Sequence, residues 1–245
     1  MSKLIVMDWG GISHRAIFAY RNYSQVPLTY TMLRMVIGYL KKIGVTLDDK
    51  IVIAEDYGSW RKDIDKNYKA QRKAFRESKE DASFWSEVYK EVNEFTAKLD
   101  QCLPFNFVKI YKMESDDIAS VAIRYLDAEE KIMITSDEDW AQLCTFPNTK
   151  IFSPHTKKFK IIKNPEKILL KKIKGDVSDN LLEAPKTEAE FVIRKMIVDL
   201  TSLPVHIEAI IKPVIQTLPI KNIYLNKIPF RTCREELRKL YKLEG

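Results

Sequence analysis

The chain has 245 residues, 45% hydrophobic and 11% aromatic, with modest glycine and proline and no low-complexity stretch; this excludes a disordered or fibrous chain and allows one large domain, or one domain with a small appendage. Its formal charge of +7 favours polyanionic partners, nucleic acid first, although ordinary solubility also accounts for a net charge. Three scattered cysteines, Cys102, Cys144 and Cys233, without a CxxC pair argue against a disulfide framework or zinc site and for a reducing compartment, the cytoplasm.

The start, MSKLIVMDWGG, has an apolar run too short for a signal peptide. No run of about eighteen apolar residues is present to span a membrane. In chain order, KLIVM (Lys3–Met7) is the first predicted strand, and a helix is expected over Thr29–Ile43. KIVIA (Lys50–Ala54) is the second strand, followed by helical patterns with interruptions over Arg61–Gln101. NFVKIY (Asn106–Tyr111), a helix over Asp117–Leu126 and KIMIT (Lys131–Thr135) come next. These runs read as strands covered on both faces, and their alternation with helices predicts an α/β fold with a mainly parallel central sheet. Lys150–Ser153 and Lys158–Ile162 are expected to be shorter strands. From about residue 164 the chain turns helical and lysine-rich. We therefore expect an α/β domain over residues 1–162, with a helical arch at about 61–101, and a helical C-terminal region over 163–245.

Each of the four main strands is followed by acid, at the edge where open α/β sheets bind ligands. Asp8 follows the first and Asp56, with Glu55, the second. Glu114, Asp116 and Asp117 follow the third, and Asp137 and Asp139 the fourth. Acids make up 34 of 245 residues, so a short window holds one by chance a little under half the time; four occupied windows, several with clusters, exceed that. Like charges this close resist joint ionisation, and a divalent cation relieves the repulsion. His14, His155 and His206 form no ligand spacing. Oxygen-only donors suit Mg²⁺, with Mn²⁺ as a substitute. More than four carboxylates suggest two ions, about 4 Å apart, the usual arrangement for phosphodiester cleavage. The plainer reading is helix capping, to which Asp116 and Asp117 are suited.

The segment SWRKDIDKNYKAQRKAFRESK (Ser59–Lys79) places Lys62, Lys66, Lys69, Lys73 and Arg76 on one predicted helical face, with Arg72 at its edge. Such a face can track a phosphate backbone; it can also be a solvated surface. Its position directly after Asp56 favours the first reading. Tyr20, Trp60 and Tyr68 are candidate base-stacking rings or, more simply, core residues. Trp140 reads as core, and His14 as a surface residue.

Taken in order, these motifs resemble the 5′-nuclease superfamily, which includes flap endonucleases and the 5′-nuclease domains of bacterial DNA polymerases, and within it the T-even phage ribonuclease H type. Asp8 with Arg15 is similar to the family's first acid and its basic partner. DYGSWRKDIDKNYKAQR, ESDDIAS, TSDEDWAQL (Ser136 where the family has glycine) and KGDVSDN match the successive family elements, the last adding Asp176 and Asp179. The resemblance implies a metal-dependent nuclease acting at 5′ ends of duplex, RNA·DNA or flap substrates, removing primers in phage DNA replication in the host cytoplasm. It implies Asp8, Asp56, Glu114 and Asp116 around a first Mg²⁺ and Asp137, Asp139, Asp176 and Asp179 around a second. Asp117 is expected near both, with Lys69, Arg72 and Arg15 on the scissile phosphate. The implied partners are DNA and RNA·DNA duplexes and replication proteins such as a single-strand-binding protein, with the chain a monomer. Two departures stand out. LLEAPKTEAEFVIRKM replaces the family's glycine-rich helix-hairpin-helix; Lys163, Lys167, Lys171, Lys172 and Lys174 either substitute electrostatically in gripping duplex or are solvated lysines. Glu55 competes with Asp56 as the second acid, with Asp56 favoured.

Overall fold

The computed structural model describes residues 2–22, 25–71 and 82–243. One six-stranded sheet has the order β3-β2-β1-β4-β5-β6. The strands are β1 (Lys3–Asp8), β2 (Lys50–Glu55), β3 (Phe105–Lys109), β4 (Glu130–Ile134), β5 (Thr149–Ser153) and β6 (Lys158–Lys160). Pairs from β3 across to β5 are parallel, and β6 joins β5 antiparallel. The four predicted main strands are present, with ends shifted by a residue or two.

The apolar runs alternate between two cores, as a pleated strand covered on both sides requires. Ile5 and Met7 of β1 and Ile51 and Ile53 of β2 face one core with α1 (Trp9–Asn22), α2 (Leu28–Ile43) and α4 (Ala82–Cys102). Leu4, Val6, Val52 and Ala54 face the other, against α5 (Ser115–Tyr125). The helix α2 buries Met32, Leu33, Val36, Ile37 and Leu40, the spacing of an amphipathic stripe. It stops at Gly44, whose φ of 71° is left-handed and whose N–H caps Leu40 O.

The remaining elements are α3 (Arg61–Ile64), α6 (Pro165–Lys174), α7 (Glu188–Val198), α8 (Val205–Gln216) and α9 (Arg231–Leu240). The C-terminal segment covers both faces of the sheet: Ile207, Ile211 and Ile215 of α8 lie in the α5 core, and Cys233 and Leu237 of α9 in the opposite one. A 3₁₀ turn over Asp139–Thr145 carries the fully buried Trp140.

The continuous basic helical face expected from residue 61 onward is corrected by the structure. Helix α3 ends at Ile64, and Asp65 is extended. Tyr68 is buried, and Lys69 takes a left-handed φ of 55° with its N–H bonded to Asp179 O. A helix register cannot pass through a left-handed non-glycine residue, so Lys62, Lys66 and Lys69 do not share one face. Arg72, Lys73 and Arg76, with the middle of the expected arch, lie outside the described residues.

Arg61 is one of the largest fully buried side chains. Its guanidinium donates to both oxygens of Asp117, at 2.8 and 3.1 Å, to Glu114 at 2.9 Å and to Ile197 O at 2.7 Å. The network ties the segment after β2 to the start of α5 and the end of α7. Removing one partner of a buried charge group strands the other. Arg61→Ala is therefore expected to lower stability by about 3–5 kcal/mol, read as a lower denaturation midpoint; an unchanged midpoint would show that the network holds nothing together.

Candidate metal centre

The parallel strands end on one rim, and most of the acids lie there. Asp8 closes β1 at the start of α1. Its carboxylate accepts the Gly11 N–H at 2.9 Å and the Thr135 hydroxyl at 3.0 Å. Burial, reinforced by the charges of Asp56 and Asp137, outweighs these bonds and pushes its pKa up to about 6. A Cβ added to Gly10 would sit 3.0 Å from Asp56 Oδ2 and 3.5 Å from Asp8 Oδ1. The bare glycine thus leaves room between these two carboxylates.

Asp56 and Glu55, adjacent in sequence, take different surroundings. Glu55 is buried and lies 3.7 Å from Lys109 on the paired strand. Asp56 is exposed, accepts the Ser115 N–H at 2.8 Å and neighbours Asp8. The structure directs Asp56, rather than Glu55, to the rim.

Behind the rim, Glu114 is held from four directions. Ser59, Arg61 and Tyr68 donate to Oε2 at 3.0, 2.9 and 3.2 Å, and Lys69 Nζ reaches Oε1 at 2.5 Å. Burial alone would raise its pKa, but Arg61 and Lys69 hold it below the ordinary carboxylate value. Asp116 lies forward, accepting the Trp140 Nε1–H at 2.7 Å. Burial, then the charge of Asp137, raises its pKa well above normal. Asp117 does not join them. It is fully buried, bonded to Arg61, to Trp60 Nε1 at 3.0 Å and to the Glu114 N–H at 3.0 Å. The expectation that it sits near both ions is corrected: its oxygens are committed to capping α5 and pairing with Arg61.

A second group comes from the fourth strand and the turn after α6. One carboxylate oxygen each from Asp139, Asp176 and Asp179 lies within 4.8 Å of the others. Asp137 accepts the Asp139 N–H at 2.8 Å. Its charge acts on Asp8, Asp116 and Asp139 alike. Burial, then Asp137, pushes the Asp139 pKa up to about 6 despite Lys172. Asp176 is instead lowered: the bonds from Lys172 and Ser178 exceed the effect of burial.

Among the cations, Lys69 touches both groups, 2.5 Å from Glu114 and 3.7 Å from Asp179. Burial would lower its pKa, but Glu114, Asp116 and Asp179 together raise it, so it stays charged. Arg15, one helical turn beyond Gly11, points toward His155, 3.5 Å away. Lys62, Lys66, Lys171 and Lys174 are exposed. Lys172, grouped with them as a duplex-facing lysine, is corrected: it turns into the Asp139, Asp176 and Asp179 cluster. Tyr68 and Trp60 are buried and Tyr20 packs against the same core as α1, so these rings form core rather than a stacking platform. His14 is exposed. The buried role of Arg61 is not visible in the sequence, since nothing local distinguishes it from its solvated neighbour Lys62.

The donors are carboxylates without thiol or imidazole, a set that fits hard divalent cations. Asp8 and Asp139 must shed protons before taking a cation. Mn²⁺ affinity is therefore expected to fall as pH drops through about 6, with protons released on binding; calorimetry in buffers of different ionisation enthalpy checks this, and pH-independent affinity would contradict it.

Ribonuclease H of Enterobacteria phage T4 is 31% identical over 159 residues, 62% of this chain and 50% of that protein. A 5′-3′ exonuclease of Mycoplasmopsis pulmonis (strain UAB CTIP) is 27% identical over 197 residues, 73% of this chain and 61% of that protein. The chain thus matches only about half to three-fifths of the length of these curated relatives. A bacteriophage T5 flap endonuclease solved as a pseudo-enzyme-product complex with DNA and metal ions superposes with a TM-score of 0.62 at 18% identity, over 97% of this chain and 87% of that one, which establishes the shared fold. The family model for the 5′-3′ exonuclease N-terminal, resolvase-like domain matches residues 3–174, and the chain belongs to this 5′-3′ exonuclease family.

Proposed function

We propose that the chain is a divalent-metal-dependent 5′ nuclease that cuts phosphodiesters at 5′ ends of DNA or RNA·DNA duplexes and flaps. The observation that carries this is the convergence of Asp8, Asp56, Asp116, Asp137, Asp139, Asp176 and Asp179 on one rim, with Lys69 beside it. Asp8, Asp56 and Asp116, backed by Glu114, would hold one cation. Asp139, Asp176 and Asp179 would hold the other, with Asp137 between. Cations there supply Lewis acidity, neutralising the scissile phosphate and making water nucleophilic at neutral pH.

The protein's own groups do the positioning. Trp140 and Ser115 fix the orientation of Asp116 and Asp56 through single hydrogen bonds. Lys69, kept charged by its acidic neighbours, would donate to a phosphoryl oxygen as negative charge builds there. Arg15, and Arg72 beyond the described residues, would contact the same phosphate. The exposed Lys62, Lys66, Lys171 and Lys174 would follow the backbone of the substrate on either side. Primer removal during phage DNA replication in the host cytoplasm, with Mg²⁺ as the working ion, is the biological role we infer from the similarity to phage ribonuclease H.

The test offers 5′- and 3′-labelled flap, nicked and RNA-primed duplexes, first in EDTA and then with Mg²⁺ or Mn²⁺, and reads product lengths. Short 5′-derived products only after metal addition are expected. Branched DNA bound in EDTA but left intact with metal would favour a binding protein without nuclease activity. Lys69→Ala should lower kcat by about 10²–10³ while KM changes far less; unchanged kcat at saturating substrate would remove Lys69 from the chemistry.

A further inference from the structure

Lys172 lies near the C-terminal end of α6, between Lys171 and Lys174 in a lysine-rich stretch. Those two neighbours are exposed, whereas the Lys172 side chain retains only 15% of its accessibility. Its ammonium lies 2.6 Å from Asp139 Oδ2 and 3.8 Å from Asp179 Oδ2, and pairs directly with Asp176 Oδ2. These three acids are the ones whose oxygens converge within 4.8 Å. The lysine therefore sits against the second cluster and uses its lone pairs. The first cluster is built differently: Arg61 and Lys69 pair with Glu114 behind it, but among the described residues no ion pair reaches the forward acids Asp8, Asp56 or Asp116.

A lysine ammonium and a divalent cation placed at one set of converging carboxylate oxygens oppose each other. They compete for the same lone pairs, and their charges repel at contact distance in a partly desolvated site. We propose that Lys172 is a tethered counter-ion at the second cation position, which it must leave before a second cation enters. This rests on the metal-dependent reading above and refines it: the two positions load unequally, the first freely and the second only in exchange for Lys172. Helix α6 packs on the 3₁₀ turn that carries Asp139, so the lysine has a fixed base and only its flexible stem needs to swing.

The test titrates Mn²⁺ into the full chain without nucleic acid, following free Mn²⁺ by electron paramagnetic resonance. Wild type should show one tighter and one weaker ion. In Lys172→Met the weaker ion should tighten by at least about tenfold with the tighter one unchanged; Lys172→Arg, which keeps the charge, should leave it weak. Equal affinities in wild type and Lys172→Met would overturn the proposal while sparing the metal-dependent reading. Failure of either protein to bind any Mn²⁺ would overturn both. Thermal unfolding in EDTA shows whether the variant folds, and its melting temperature should fall below wild type and recover with Mn²⁺. If Lys172→Met does not fold, ¹⁵N resonances of the lysine ammoniums in wild type decide: the Lys172 signal should shift only in the weaker phase of a Mg²⁺ titration, and a signal unmoved at saturation of both sites overturns the proposal.

Discussion

The constraint behind this structure is the mutual repulsion of carboxylates crowded on one edge of a parallel sheet. The protein meets it with three cations, one wholly buried and two largely so. Arg61 is wholly buried and joins Glu114 to Asp117. Lys69 spans Glu114 and Asp179. Lys172 stands among Asp139, Asp176 and Asp179. Backbone N–H groups at the starts of α1 and α5 add partial positive charge beside Asp8 and Asp56. Burial drives up the proton affinity of Asp8 and Asp116, which no ion pair reaches among the described residues, and of Asp139 despite its pairing with Lys172.

This division separates support from chemistry within one sequence motif. Glu114, Asp116 and Asp117 are near neighbours in the chain, yet each meets a different environment. Asp117 turns inward to cap its helix and bind Arg61. Glu114 is clamped by four donors. Asp116 alone projects forward, steered by the indole of Trp140. A buried acid with saturated hydrogen bonds is inert, whereas a desolvated acid beside other acids has a strong demand for a cation.

The C-terminal region matters because it closes this arrangement. Its turn at Asp176–Asp179 supplies acids to the rim and, through Asp179 O, the acceptor that pins Lys69 in its left-handed conformation. The end of α7 contributes Ile197 O to Arg61. Helices α8 and α9 then pack on opposite faces of the sheet. Helix α7, most of which lies within LLEAPKTEAEFVIRKM, thus reaches the buried Arg61 through its last turn.

By itself, the sequence determined the strand–helix alternation, the two-sided burial of KLIVM and KIVIA, and the delivery of acid after each strand. These are local properties: strand period and burial are written in successive side chains, and a parallel sheet sends every strand end to the same edge. The order of acidic motifs was enough to indicate the family. Tertiary structure alone decided which charges face the rim. Glu55 and Asp56 are alike in sequence, but only Asp56 neighbours Asp8. Lys171 and Lys172 are identical residues, but only one enters the cluster. Arg61 and Lys62 are adjacent cations, one buried and one solvated. Whether a charge is buried, paired or free depends on what packs against it from distant parts of the chain, and that information is absent from any local stretch of residues.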